Sequence, residues 1–454
     1  MKCDTVTITN ILSRIMDDCI QIHRGRIFHF PRVTRSPQND YQYYDDGILI
    51  TRGSRIEYLN TYDHFLHHQT TLNPNHHPVT HHHGLILPGL IDAHVHYPQM
   101  EIMASYGKQL LDWLKTYTYP TEKKYQDKNY AKAQAIDFLN QLFANGTTTA
   151  SVFAARFPES VDAFFEATEL YQARMICGKV MMDRFASDMM RDKPAEAAYQ
   201  TEALIERWHN NGRHLYALSP RYAVACTPQL LTEITHIAKR HPDIFIQSHL
   251  SDSLAEVELA KSLYPQHRDY LSIFEQSGLI RERSLLGHCL YFSDEEFKRI
   301  AQSDATIVSC PTSNFFLGKG LFPYQKVKNL DGNIAFGSDI GAGTRLSLFE
   351  NLADAYKACQ MQAHCLNPLE SLYQCTQGTA VSMSLEDKIG NLNTGTEADF
   401  IVINVDNLPI LKQRIRHVAD IKSRLFALLL LGNESVVQST YVAGQRVYER
   451  HAAH

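Results

Sequence analysis

From residue 85 onward, short apolar runs of strand-forming residues alternate with helical tracts, and that rhythm restricts the fold more than any other feature of the chain. The runs are Leu90–His96, Thr147–Phe153, Met175–Met181, Leu215–Ser219, Ile244–His249, Leu285–His288, Ala305–Ser309 and Ile334–Asp339. Between them fall helical patterns: a tract around Gly107–Lys115, then Tyr130–Ala144 closed by Asn145-Gly146, Ser160–Tyr171, Ala195–His209 and Pro228–Arg240. Ser253–Leu263, Tyr270–Ser277 and Ser293–Gln302 follow, the last opening on a serine suited to cap it. Eight strands and their helices over roughly 250–300 residues predict an α/β fold, a (β/α)8 TIM barrel. In such a barrel chemistry is built at the C-terminal strand ends, so the residue closing each run is the place to look.

Both flanks are β-rich. Ile27–Phe30, Gly47–Ile50 and Arg55–Tyr58 alternate in a strand-like way, with Asp45-Asp46-Gly47 as a turn, and predict a small antiparallel sheet. Beyond residue 385, Lys388–Asn404 holds a turn and an apolar strand, and Val436–Thr440 with Tyr441–Val447 read as a closing hairpin. Pairing of the two ends predicts a small β-sandwich domain from residues 1–84 and 385–454 around a catalytic barrel of 85–384. His64, His67, His68, His76, His77, His81, His82 and His83 lie among Thr, Asn and Pro, and read as a solvated loop.

A formal charge of −5, with 44% hydrophobic and 20% charged residues, describes a soluble globular chain with no reason to bind nucleic acid or an acidic membrane. The nine cysteines form no CxxC pair, which points to reduced thiols inside the cell. Met1–Ile20 is interrupted by Lys2, Asp4, Arg14, Asp17 and Asp18 and lacks a leader's apolar core, and Leu425–Leu431 is too short to span a bilayer. A cytoplasmic protein is expected.

The strand ends then supply chemistry. In an extended segment His94 and His96 point to one face, as two ligands of one metal require. Strand five ends in His249, strand six in His288 and strand eight in Asp339. Each alone has a plain structural explanation: a core imidazole, or a turn-forming carboxylate. At the matching ends of four strands they form a set of nitrogen and oxygen donors suited to zinc or iron(II).

Pro88-Gly-Leu-Ile-Asp-Ala-His-Val-His96, Ser248-His249, Gly287-His288 and Ser338-Asp339 resemble the metal-dependent amidohydrolase superfamily. Tyr97-Pro98-Gln99, Gln109–Thr118, Gly178–Arg184, Ser219-Pro-Arg-Tyr222 and Cys310-Pro-Thr-Ser-Asn314 narrow the resemblance to its guanine deaminase family. The resemblance runs from about residue 85 to 400. It implies one Zn2+ per chain, with Fe2+ as an alternative, held by His94, His96, His249 and Asp339. Members with two metals usually carry a bridging lysine where this chain has Ser219-Pro220-Arg221, and Lys179, inside the third strand, reads as structural.

For hydrolytic deamination Asp339 is the candidate to orient and deprotonate water, and His288 to hold the attacking oxygen. Related deaminases place a glutamate three residues after the strand-five histidine as proton donor, whereas this chain has His249-Leu-Ser-Asp252. Asp252 is the expected donor. The competing reading makes it only a cap of the following helix, with Glu256 as fallback or else a solvated helix residue. Resemblance puts Gln99 and Arg221 at the purine and Tyr222 along its pocket. Plainer roles are a turn cap for Gln99 and an ion pair with a barrel carboxylate for Arg221. The implied activity is hydrolysis of guanine to xanthine and ammonia in purine catabolism, by a homodimer. The alternatives are an aminohydrolase or chlorohydrolase acting on another heterocycle, and an inactive relative kept as a binding protein. The Pro-Cys-x-x-Cys motif of the unrelated zinc deaminases is absent.

Overall fold

The computed structural model describes residues 19–68, 77–106 and 110–451. The readings of residues 1–18, His76 and Gly107–Gln109 lie outside the described residues.

In chain order the strands are β1 (Ile20–His29), β2 (Gln42–Arg52), β3 (Arg55–Thr61), β4 (Val79–Pro88), β5 (Leu90–His96), β6 (Thr147–Phe153), β7 (Arg174–Gly178) and β8 (Val180–Met181). They continue as β9 (Leu215–Pro220), β10 (Phe245–Leu250), β11 (Ser284–His288), β12 (Thr306–Ser309), β13 (Asn333–Phe336), β14 (Phe400–Ile403), β15 (Val437–Val442) and β16 (Gln445–Glu449). Strands β5, β6, β7, β9, β10, β11, β12 and β13 hydrogen-bond in that order, every pair parallel, with β8 added beside β9. Helices sit between successive strands, so the sheet is the expected α/β barrel. Its strands are buried on both faces, which is why they read as continuous apolar runs. Each fully buried Val, Leu, Ile or Phe contributes roughly 1.5–3 kcal/mol.

The ring closes between β13 and β5 without a regular ladder. Asp339 N–H donates to the His94 carbonyl at 2.8 Å. The buried Asp92 carboxylate accepts from the Ser338 N–H at 3.0 Å, from the Ser338 hydroxyl, and from His94 N–H at 3.1 Å. Gly337 permits this approach, since a Cβ there would lie 2.6 Å from His94 Cβ and 2.9 Å from its backbone nitrogen.

A second, seven-stranded sheet is built from both chain ends in the order β16-β15-β14-β4-β1-β2-β3. It is mixed, not purely antiparallel, because β1 and β4 run parallel. Asp45 and Asp46 form no turn: they sit inside β2, where the register slips from Gly25 opposite Gly47 to Ile27 opposite Tyr44, a bulge. The turn lies at Gly53-Ser54, with Gly53 at φ +53°. Nor is the histidine run a single loop. His64, His67 and His68 lie on the helix Tyr62–His68, and His81–His83 are drawn into β4 by pairing with β1.

Two helices, Pro409–Ile415 and Ile421–Leu431, interrupt the β-rich C-terminal end. The second packs against Leu348–Gln360 on the barrel's outside, so its apolar run serves a helix interface. No helix among the described residues is long and apolar enough to cross a membrane. The eight described cysteines are free.

Candidate active site

The C-terminal ends of β5, β10 and β11, and the segment after β13, bring five predicted side chains to one point. His96 Nε2 lies 3.0 Å and His94 Nε2 3.2 Å from His249 Nε2. Asp339 Oδ1 is 3.4 Å from His94 Nε2 and 3.3 Å from His96 Nε2. His288 Nε2 is 3.6 Å from the other oxygen, Asp339 Oδ2. All five are buried or nearly so. Asp339 takes a positive φ of +49° and His288 one of +71°, strained conformations held by the ring closure and by the strand ladders.

These groups cannot satisfy one another by hydrogen bonds alone. His249 Nδ1 is 2.7 Å from the Arg221 carbonyl, an acceptor, so the proton resides on Nδ1 and Nε2 presents a lone pair. Burial lowers the pKa of His96 to about 4, and burial followed by the neighbouring imidazoles holds His249 well below the usual imidazole value. Burial opposes the charge of Asp339, but the neighbouring His94, His96 and Lys319 outweigh it and hold the carboxylate well below its usual range. Neutral imidazole lone pairs and one carboxylate, mutually within 4.8 Å, are the donor set of a nitrogen–oxygen metal site, and the residues fit zinc or iron(II). Gly287 is part of that fit, because a Cβ there would lie 2.8 Å from His94 Cε1.

Around this point stand the remaining groups. His288 Nδ1 is 3.1 Å from Asn314 Oδ1, which places its proton on Nδ1, and burial lowers its pKa to about 4. Asp252 Oδ1 lies 3.6 Å from His288 Nδ1, and Asp252 Oδ2 is 2.9 Å from Lys319 Nζ. The helix Leu254–Leu263 is capped by Ser253, whose hydroxyl accepts from Glu256 N–H, so Asp252 is not its cap. Glu256 is no solvated residue either. It is buried, it accepts from Asp252 N–H at 2.9 Å and from the Tyr270 hydroxyl, and burial followed by Asp252 raises its pKa to about 8.

A cavity adjoins this point, with Gln99, Trp113, Arg221 and Tyr222 on its wall. Arg221 does form an ion pair: its guanidinium grips buried Glu122 through Nη1–Oε2 at 2.8 Å and Nη2–Oε1 at 3.0 Å. Gln99 Nε2 donates to the same carboxylate at 3.0 Å. Glu122 thus ties both predicted purine contacts into one array that still faces the cavity. Lys179 pairs with Asp192 at 2.8 Å, away from the cavity.

A family model described as the Amidohydrolase family matches residues 85–447. The chain belongs to the amidohydrolase family. Among curated proteins this amidohydrolase is 38% identical to guanine deaminase of Escherichia coli (strain K12), over 94% of its own length and 97% of that protein's. Among solved structures it is similar to E. coli guanine deaminase, with a TM-score of 0.91 and 36% identity over 95% of this chain and 100% of that one. It also resembles guanine deaminase from C. acetobutylicum with bound guanine in the active site, with a TM-score of 0.84, 27% identity and the same coverage.

Glu122, Asn314 and Lys319 escaped the sequence reading as site residues. Glu122 follows the Gln109–Thr118 stretch within four residues, Asn314 ends the Cys310–Asn314 motif, and Lys319 stands between Gly318 and Gly320. A lone lysine between two glycines was the one signal available for the last.

Proposed function

We propose that this amidohydrolase is a guanine deaminase, converting guanine and water to xanthine and ammonia. The observation that carries the reading is the convergence of His94, His96, His249 and Asp339 beside a cavity lined by Gln99, Arg221 and Tyr222. The relatives named guanine deaminase over nearly the whole chain support it.

Zinc held by the three imidazoles and Asp339, with iron(II) as the alternative, would lower the pKa of water enough to supply hydroxide near neutral pH. Asp339, kept ionised, orients the nucleophile and accepts its proton. His288 presents an unprotonated Nε2, so it accepts a hydrogen bond from the attacking oxygen and fixes its approach to C2. Asp252 offers Oδ1, buried and without a hydrogen-bond partner, to take one proton from the attacking water and pass it to the ring nitrogen that gains charge, while the other water proton, taken by Asp339, goes to the amine as the C2–N bond breaks and ammonia departs. Arg221 retains N–H groups beyond the two bound to Glu122, matching the acceptor edge of guanine, while Gln99 keeps an amide oxygen for a purine donor. Tyr222 walls the ring plane. Polar recognition of this kind discriminates sharply, because an analogue lacking the partner atom leaves buried groups unpaired.

The setting that fits is the cytoplasm and purine catabolism, with the chain working as a homodimer; light scattering on the purified protein tests the last point. The central test is metal analysis of the purified protein alongside ammonia release from guanine, adenine, cytosine and triazines. Release from guanine alone, with about one metal per chain, is expected; release from another heterocycle but not guanine overturns the assignment.

A further inference from the structure

The buried ammonium of Lys319 has no part in the deamination as described, yet it reaches the reacting centre. Its backbone is pinned: Lys319 N–H donates to the Asn314 carbonyl at 2.8 Å, and its own carbonyl accepts from the Tyr291 hydroxyl. The flanking glycines take φ of +61° and +132°, conformations that let the loop turn sharply on either side of the lysine. Its side chain is 3% exposed and lines the cavity with His96, Gln99, Asp252 and Asp339. Nζ lies 2.9 Å from Asp252 Oδ2 and 3.8 Å from Asp339 Oδ2.

Asp252 is held on two sides. Its N–H is bound by Glu256 and its Oδ2 by Lys319, while Oδ1 is left buried and unpartnered, 3.6 Å from His288 Nδ1. An aspartate side chain turns freely about its Cα–Cβ and Cβ–Cγ bonds, and the backbone contact fixes neither. The lysine is therefore the contact that selects which oxygen lies beside His288. Without it, Asp252 and Asp339 would be two carboxylates on the wall of one cavity with no ammonium beside them, and repulsion would drive the mobile one away.

We infer that Lys319 is a positioning residue that anchors Asp252 through Oδ2 so that Oδ1 stays beside His288 at the edge of the reacting centre. The inference rests on the proton-carrying role given above to Asp252. Lys319→Met keeps the length of the side chain and removes the charge. With guanine it should lower kcat about 10–100-fold while KM moves by less than about threefold, since the contact aims a reacting group while Gln99 and Arg221 hold the base. Metal content should be unchanged, and Lys319→Arg should recover part of kcat. In an Asp252→Asn background Lys319→Met should add less than about a twofold loss, because the lysine acts through a partner already disabled.

A kcat within about twofold of wild type, or an equal loss in the Asp252→Asn background, overturns the inference. A crystal structure of metal-loaded Lys319→Met gives a readout independent of substrate: Asp252 should turn away from His288, and an unmoved carboxylate overturns the inference. That structure still decides the matter if the wild-type protein releases no ammonia from guanine, a result that sinks the substrate assignment instead. Should Lys319→Met fail to fold, Lys319→Gln, uncharged and nearly as long, carries the same measurements.

Discussion

Gly287→Ala adds one methyl group and should cost the chain much of its grip on metal. The new Cβ would sit 2.8 Å from Cε1 and 2.9 Å from Nδ1 of His94, where ordinary contacts begin near 3.4 Å. The imidazole must retreat by about 0.6 Å, since close-packed interiors do not absorb such overlap. Its retreat is obstructed: the ring packs on Phe153 at a centroid distance of 4.8 Å and on His249 at 4.7 Å, and the His94 carbonyl is tied to Asp339 N–H. Metal–ligand distances tolerate about 0.2 Å, so a shift three times larger detaches or strains one ligand of four. Affinity for zinc should fall on the order of 10²-fold, about 2.7 kcal/mol. Overpacking itself costs about 1–3 kcal/mol of stability, partly offset by about 0.5–1 kcal/mol for removing a strand glycine. Competition against a zinc-binding dye measures the affinity, and thermal unfolding with and without excess zinc separates the two effects. A variant with wild-type affinity and an unshifted His94 ring would refute the claim that this glycine sets the ligand geometry.

Other perturbations are read the same way. Asp252→Asn should retain metal and lose turnover by about 10²–10⁴-fold, whereas His94→Ala should lose both; equal metal loss in the two variants would contradict the division of roles. Treatment with a chelator should abolish ammonia release and lower the unfolding temperature, and added zinc should restore both; an unchanged rate after complete metal removal contradicts the ligand assignment. Arg221→Met leaves Glu122 as an uncompensated buried carboxylate, which should cost about 3–5 kcal/mol of stability and raise KM for guanine. Urea unfolding together with steady-state kinetics checks both. Glu256, raised from 4.5 to about 8 in the folded chain, binds a proton near neutrality that the unfolded chain releases. Its stabilising contribution is complete below pH 4.5 and declines as pH rises toward about 8. Relative to Glu256→Gln, the wild type should lose on the order of 1 kcal/mol per pH unit across that window, and a pH-independent difference in urea midpoints would count against it.

What could be read from the amino acids alone depended on periodicity. His94 and His96 share a strand face, and His249 and His288 end apolar runs, so a barrel rule sufficed to bring them together. Asp339 lies three residues beyond β13 and was reachable because the run was read past the strand's true end. Glu122 and Lys319 come from connections, whose course is set by packing and turn geometry and not by any repeat. Asp45 and Asp46 were misplaced for a related reason: a bulge puts a turn-like sequence inside a strand. The helix Ile421–Leu431 was missed as an element because its run from Leu425 to Leu431 is apolar throughout and carries no face to betray its period.

Because His94 lies on the barrel's first strand and Asp339 just past its last, the ends of the ring meet in the same few ångströms where the ion would bind. A metal lodged there acts as a clasp between the earliest and latest barrel segments to leave the ribosome, some 245 residues apart in the sequence. A nascent chain lacking its last staves has the three imidazoles but not the carboxylate, so the complete donor set exists only once the whole barrel has been made.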